Sequence, residues 1–224
     1  MATYRIGTAV KTTIVRALLG AAVLASGFGV HAAHAEPGTP PAAPIAAQNR
    51  EHKTTSETQI NVTADQLLSV ARSQIGVTEN AAGGGTPYQQ WYASSQRAAE
   101  TVARDGGNRT AYLNAAWCAM FVSWVGETTG ARPQVGWDAY TVAHAKWFAA
   151  NHRFGTVAKP GAVVFFSWRG SKNLKDINHV GFVVKDNLNG TITTIEGNTG
   201  NGKVEQRTRP KSQVVGYGYP QYAA

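Results

Sequence analysis

The sequence predicts an α+β domain, with N-terminal helices packed on a C-terminal antiparallel sheet of about five to six strands. Three observations predict it. Between residues 63 and 151, apolar side chains recur at i, i+3, i+4 spacing. Pro160-Gly161 then marks a turn, and beyond it the chain breaks into short apolar runs separated by Gly, Asn, Asp and Pro. Helices first and strands afterwards is the order of an α+β fold, not of a doubly wound parallel sheet.

The N-terminus reads as an export signal over residues 1–35. Arg5, Lys11 and Arg16 form a basic start, Ala17 to Val30 an apolar run, and Ala33-His34-Ala35 a cleavage site before Glu36. The apolar run is shorter than the roughly 20 residues that span a bilayer. No Arg-Arg pair precedes it, so the twin-arginine route has no support. The mature chain is therefore expected outside the cytoplasm, secreted or wall-associated, without stable membrane insertion. Residues 36–62 carry Pro37, Pro40, Pro41 and Pro44 among Ala, Gln and Thr, the composition of a flexible tether. The folded domain is expected over 63–224.

Within it, Thr63 is the expected N-cap of a first helix, with Gln66 at the capping-box position and Leu67, Leu68, Ala71 and Ile75 on the apolar face. Gly83-Gly84-Gly85-Thr86-Pro87 reads as a mobile loop. Tyr88, Trp91 and Tyr92 follow at helical spacing and suit the core. The polar stretch from Ser94 to Arg109 shows no clear element. From Trp117 the spacing of Cys118, Phe121, Val122 and Val125 predicts a second helix, whose N-terminus carries the cysteine. A third is expected over Asp138 to Asn151, with Asp138 as N-cap, Tyr140, Ala143, Trp147 and Phe148 on one face, and His144 and His152 at the surface.

Five strands are expected: Ala162 to Trp168, His179 to Lys185, Thr191 to Glu196, Lys203 to Arg209 and Val214 to Tyr219. The second and third form a hairpin around Asp186-Asn187-Leu188-Asn189. Pairing Lys185 with Gly190 puts His179 directly opposite Glu196, with Asn198 on the same face. Val180, Phe182, Val184 and Ile195 then form a core face, and Gly181 leaves room beside the imidazole. A one-residue slip would separate His179 from Glu196.

Net charge is +8; removing the signal's three bases leaves 18 basic and 13 acidic side chains, or +5. A moderately basic protein is drawn to polyanions, including cell-wall polymers. The bases are scattered without a basic helix or aromatic cluster, which argues against nucleic acid. A near-match to a phosphate loop at Gly197 to Lys203 is followed by Val204 and strand residues, so it lacks both hydroxyl and helix. Scattered histidines with one cysteine make no zinc set, and no G-x-S-x-G is present. No metal or cofactor is expected.

A single cysteine in an exported chain makes no internal disulfide and points to a reactive thiol, an intermolecular bond or inert packing. At a helix N-terminus beside a histidine oriented by a carboxylate, a thiolate is stabilised by dipole and cation. Cys118, His179 and Glu196 fit those roles.

These residues resemble a known family. Ala71 to Glu79, Tyr88 with Trp91-Tyr92, Trp117 to Trp124, Pro160 to Phe166, His179-Val180-Gly181 and Ile195-Glu196-Gly197-Asn198 together are similar to the CHAP domain, the cysteine- and histidine-dependent amidohydrolase/peptidase group of the NlpC/P60-like superfamily. The resemblance implies a papain-like α+β fold and hydrolysis of peptidoglycan amides. It implies Cys118 as nucleophile, His179 as base, Glu196 as orienter and Asn198 as a supporting polar residue. Where the family often has an acid after Pro-Gly, this chain has Ala162, and the calcium-binding loop of some members is not visible. The insertion from Ser95 to Asn114 alters the expected substrate groove. Tyr112 and Asn114 are candidate second oxyanion donors.

The expected function is that of a secreted, monomeric thiol hydrolase of stem-peptide or cross-bridge amides. A silent wall-binding domain and a thiol acyltransferase of the same superfamily are the alternatives. Activity is expected to fall as pH falls and His179 stays protonated.

Overall fold

The structure, a computed structural model, describes residues 59–224. The expected signal over 1–35 and all but the end of the expected tether lie outside the described residues. Packing begins before residue 63: Ile60 is buried, and Val62 O accepts a hydrogen bond from Ala223 N at 2.9 Å.

Helix α1 (Ala64–Ser73) starts with Thr63 and Gln66 in a reciprocal capping box and buries Leu67, Leu68 and Ala71. Ile75 lies past its end and is exposed, because Gly76 (φ 99°) turns the chain away. Thr86 caps α2 (Pro87–Ser94) in the same way, and Tyr88 and Tyr92 enter the core. The stretch without an expected element is α3 (Gln96–Asp105), capped by Ser95. Its buried positions are the small residues Ala98 and Thr101, which leave little apolar signal in the sequence.

A 3₁₀ turn at Arg109–Asn114 leads into α4 (Cys118–Thr129), the cysteine helix. Short α5 (Arg132–Val135) precedes α6 (Thr141–Ala150). Helix α6 begins later than expected. Asp138 accepts from Tyr140 N (2.8 Å), but its other oxygen is held by Arg97 and Arg104 of α3, so Tyr140 becomes the N-cap residue. The buried face of α6 is His144, Ala145 and Phe148, while Tyr140 is exposed. His144, expected at the surface, is buried with Nε2 2.6 Å from Val135 O; burial lowers its pKa and favours the neutral ring.

The strands are β1 (Phe154–Gly155), β2 (Val163–Phe166), β3 (His179–Asp186), β4 (Thr191–Thr199), β5 (Lys203–Pro210) and β6 (Val214–Gly218). They form one antiparallel sheet in the order β1-β6-β2-β3-β4-β5. The α+β expectation is met. Val180, Phe182, Ile195 and Val204 face the helices and pack with Leu67, Phe121 and Phe148 in the main core. The opposite face carries a second cluster that includes Val164, Phe166, Val183 and Ile192.

The β3–β4 register differs from the expected one. Phe182 pairs with Ile195 and Val183 with Thr194, two residues displaced, and Lys185 pairs with Thr193 instead of Gly190. A bulge between Val183 and Lys185 takes up one residue. The longer turn takes up the rest: Asn187 N donates to Thr191 O at 3.1 Å, with Leu188 and Gly190 at positive φ inside it. A displacement of two keeps every side chain on its face, so His179 and Glu196 stay together.

Candidate active site

Cys118 is the first residue of α4, and the approach to it is fixed from several sides. Trp117 is fully buried, stacks on Tyr88 (5.3 Å between ring centres) and donates its Nε1–H to Glu79 Oε2 at 2.7 Å. Gln89 Nε2 donates to Ala115 O at 2.9 Å. No side chain caps α4, so its first-turn N–H groups remain available.

His179 opens β3, paired with Phe166 at the end of β2. The new register sets Glu196 against Gly181: a Cβ at Gly181 would lie 2.7 Å from Glu196 Cγ. The space beside the imidazole, expected to be open for substrate, is thus filled by the Glu196 side chain crossing to His179. Glu196 Oε2 lies 2.9 Å from His179 Nε2. Cys118 acts on the same imidazole, and together with Glu196 it raises the pKa of the ring.

Glu196 is fully buried and every lone pair is used. Oε1 accepts from Thr194 Oγ1 (2.6 Å) and Arg209 Nε (2.9 Å), and Oε2 also accepts from Arg209 Nη2 (2.6 Å). Burial alone would raise its pKa, but the Arg209 and His179 bonds outweigh that and lower it to about 2. For His179, burial favours the neutral ring, yet the Cys118 and Glu196 bonds and charges win and raise its pKa to about 9. These contacts favour the protonated ring of His179 at neutral pH.

Asn198 does not reach this network. It sits at a β4–β5 bulge with φ 53°, and its expected supporting place is held by Thr194 and Arg209. Sequence reasoning missed both. Thr194 is two residues before Glu196 on the same face and was within reach of a pattern argument. Arg209 depends on the β4–β5 register, which aligns it with Ile192. Trp168, also missed, lies with its ring centre 5.0 Å from that of His179 and 4.8 Å from the Arg209 guanidinium.

A cavity of about 310 Å³ opens at Cys118. Thr101 and Arg104 of α3 line it, with Tyr112, Asp138, Tyr140 and Asn178. The insertion thus builds a wall of the cavity. Tyr112 is bonded to Thr101 through its hydroxyl (2.7 Å), whereas Asn114 packs against Gly84 and is not among the lining residues.

Residues 110–198 match the family model of the CHAP domain. Over that stretch the chain is similar to the CHAP domain. The match spans Cys118, His179, Glu196 and Asn198 and leaves out α1 to α3, β5 and β6. No curated protein and no solved structure matches the chain. CHAP domains are generally amidohydrolases or peptidases, and a thiol paired with a histidine suits acyl transfer from an amide.

Proposed function

We propose that this protein is a secreted cysteine hydrolase that cuts amide bonds in the stem peptides or cross-bridges of peptidoglycan. One observation supports the reading: the only cysteine stands at an uncapped helix N-terminus, in a cavity, and acts on the charge of a histidine that a buried carboxylate holds. The basic balance of the chain supports an anionic wall as partner. The A-x-A pattern after an apolar run supports export.

In the proposed mechanism Cys118 and His179 rest as thiolate and imidazolium. The sulfur attacks the scissile carbonyl carbon, and the oxyanion takes hydrogen bonds from first-turn N–H groups of α4, a role worth roughly 3–4 kcal/mol per donor elsewhere. His179 Nδ1–H gives its proton to the leaving amine as the C–N bond breaks. The thioester is then attacked by a water that gives its proton to Nδ1. The carboxylic acid leaves, and the thiolate and imidazolium are restored. Glu196 holds the ring in position throughout through Nε2.

Mass spectrometry of fragments released from purified peptidoglycan tests the reading. The unchanged protein should release peptides with new amine and carboxyl ends, and Cys118→Ala should release none. Release unaffected by Cys118→Ala would remove the thiol mechanism. Binding without release by the unchanged protein would point to a silent wall-binding domain, and ligated products to an acyltransferase.

A further inference from the structure

Arg209 lies on β5, outside the stretch that matches the family. Its guanidinium is held on three sides. Nη2 is 2.6 Å from Glu196 Oε2 and 2.8 Å from Thr199 Oγ1, Nε is 2.9 Å from Glu196 Oε1, and the Trp168 ring centre is 4.8 Å away. Such a fork fixes a carboxylate in rotation as well as position.

The charges around it can be counted. Cys118, His179 and Glu196 are 6%, 5% and 0% exposed, so uncompensated charge among them is costly. When Cys118 is a thiolate and His179 an imidazolium, those three carry a net charge of minus one. Arg209 brings the set to zero. Other neighbours do not substitute. Thr194 is neutral, and Phe166 and Trp168 bring only rings to His179. Glu205 pairs with Glu196 across the sheet, but its carboxylate is bonded to Arg207 at 3.0 Å. Across the cavity, Arg104 is bonded to Asp105 and to Asp138, and Asp138 also to Arg97.

We infer that Arg209 is a positioning residue for the thiol chemistry: it supplies the fourth charge that lets the buried site hold thiolate, imidazolium and carboxylate together, and it aims Glu196 at His179. The inference rests on Cys118 being the proposed nucleophile, so its test uses a readout that needs no wall substrate. Cys118 is the only thiol, and iodoacetamide reports its ionised form directly: the sulfur bonds to the methylene carbon as iodide leaves.

Alkylation of the full chain is followed against pH for the unchanged protein, Arg209→Gln and Arg209→Lys, with folding checked by circular dichroism. In Arg209→Gln the thiolate form is no longer neutral overall. The acid limb should move up by about one pH unit, which is about a tenfold slower reaction near pH 6. Arg209→Lys keeps the charge and should keep the limb, while losing turnover of peptidoglycan because a point charge cannot grip both oxygens and Thr199. A folded Arg209→Gln protein with the unchanged profile overturns the inference. Should Arg209→Gln not fold, Arg209→Lys decides: a retained limb with lost turnover upholds the inference, and a displaced limb or unchanged turnover overturns it. An unchanged chain that alkylates readily in mild acid yet releases nothing from peptidoglycan sinks the proposed function and leaves the role of Arg209 standing.

Discussion

Gly181 shows how narrowly the proposed site is drawn. Glu196 reaches His179 only by passing over a residue without a side chain, and a Cβ there would stand 2.7 Å from Glu196 Cγ and 2.8 Å from Ile195 O. Backbone on one side and a fully buried carboxylate on the other leave no room to yield. Gly181→Ala should therefore push Glu196 off the imidazole. A misplacement of about 1 Å costs on the order of 10²-fold in rate, so kcat on peptidoglycan should fall by about that factor; an unchanged kcat would show that the contact does not matter. The histidine makes its own prediction. As the proposed acid for the leaving amine, His179 works while protonated, and its pKa is raised to about 9 by Cys118 and Glu196 against the opposing pull of burial. A profile of kcat/KM against pH should decline above about pH 9, with the decline moving to lower pH in Glu196→Gln.

Between elements, the decisive contact is that of β4 with α4. Gly197 follows Glu196 and points at the cysteine helix, where a Cβ would meet Phe121 Cβ at 2.6 Å and Trp117 Cζ3 at 2.8 Å. Both neighbours are fully buried, so neither can swing aside. The absent side chain lets strand and helix approach closely enough for Cys118 and the His179–Glu196 pair to meet. Gly197→Ala should cost roughly 1–3 kcal/mol by overpacking, measured by urea unfolding, and should reduce alkylation and turnover together. Much of this layer was legible in the chain. The capping box at Thr63, the helical spacing from Cys118 and the alternation of Val180 and Phe182 each follow from local pattern. What escaped depended on non-local partners. Helix α3 hid because it buries Ala98 and Thr101 instead of large residues. The start of α6 moved because two arginines of α3 claim Asp138. The hairpin register came out two residues off because a bulge is not visible in composition. The pairing of His179 with Glu196 survived that error only because the side-chain period of a strand is two.

At the scale of the whole molecule, the buried charges of the site tie stability to pH, and the sign follows from each group. Glu196 has its pKa lowered from 4.5 to about 2, with burial opposing and the Arg209 and His179 bonds prevailing. Its contribution is fully present above 4.5 and is lost as pH falls towards about 2. The gap corresponds to stability on the order of 3 kcal/mol. His179 behaves in the opposite sense: raised from 6.5 to about 9, it contributes fully below 6.5 and loses that contribution as pH rises through about 9. The two together give a plateau between 4.5 and 6.5 with a loss on either side. Both flanks involve one carboxylate, since Glu196 is the acid that loses its charge at low pH and, after Cys118, a group that holds the proton on His179 at high pH. Urea unfolding of the full chain across pH 2 to 10 should show both flanks, and Glu196→Gln should remove the acid flank and weaken the alkaline one while lowering the plateau, because Arg209 is left without its buried counter-charge. Flanks that persist undiminished in a folded Glu196→Gln protein would place the pH response elsewhere, with the exposed carboxylates and not with this buried set.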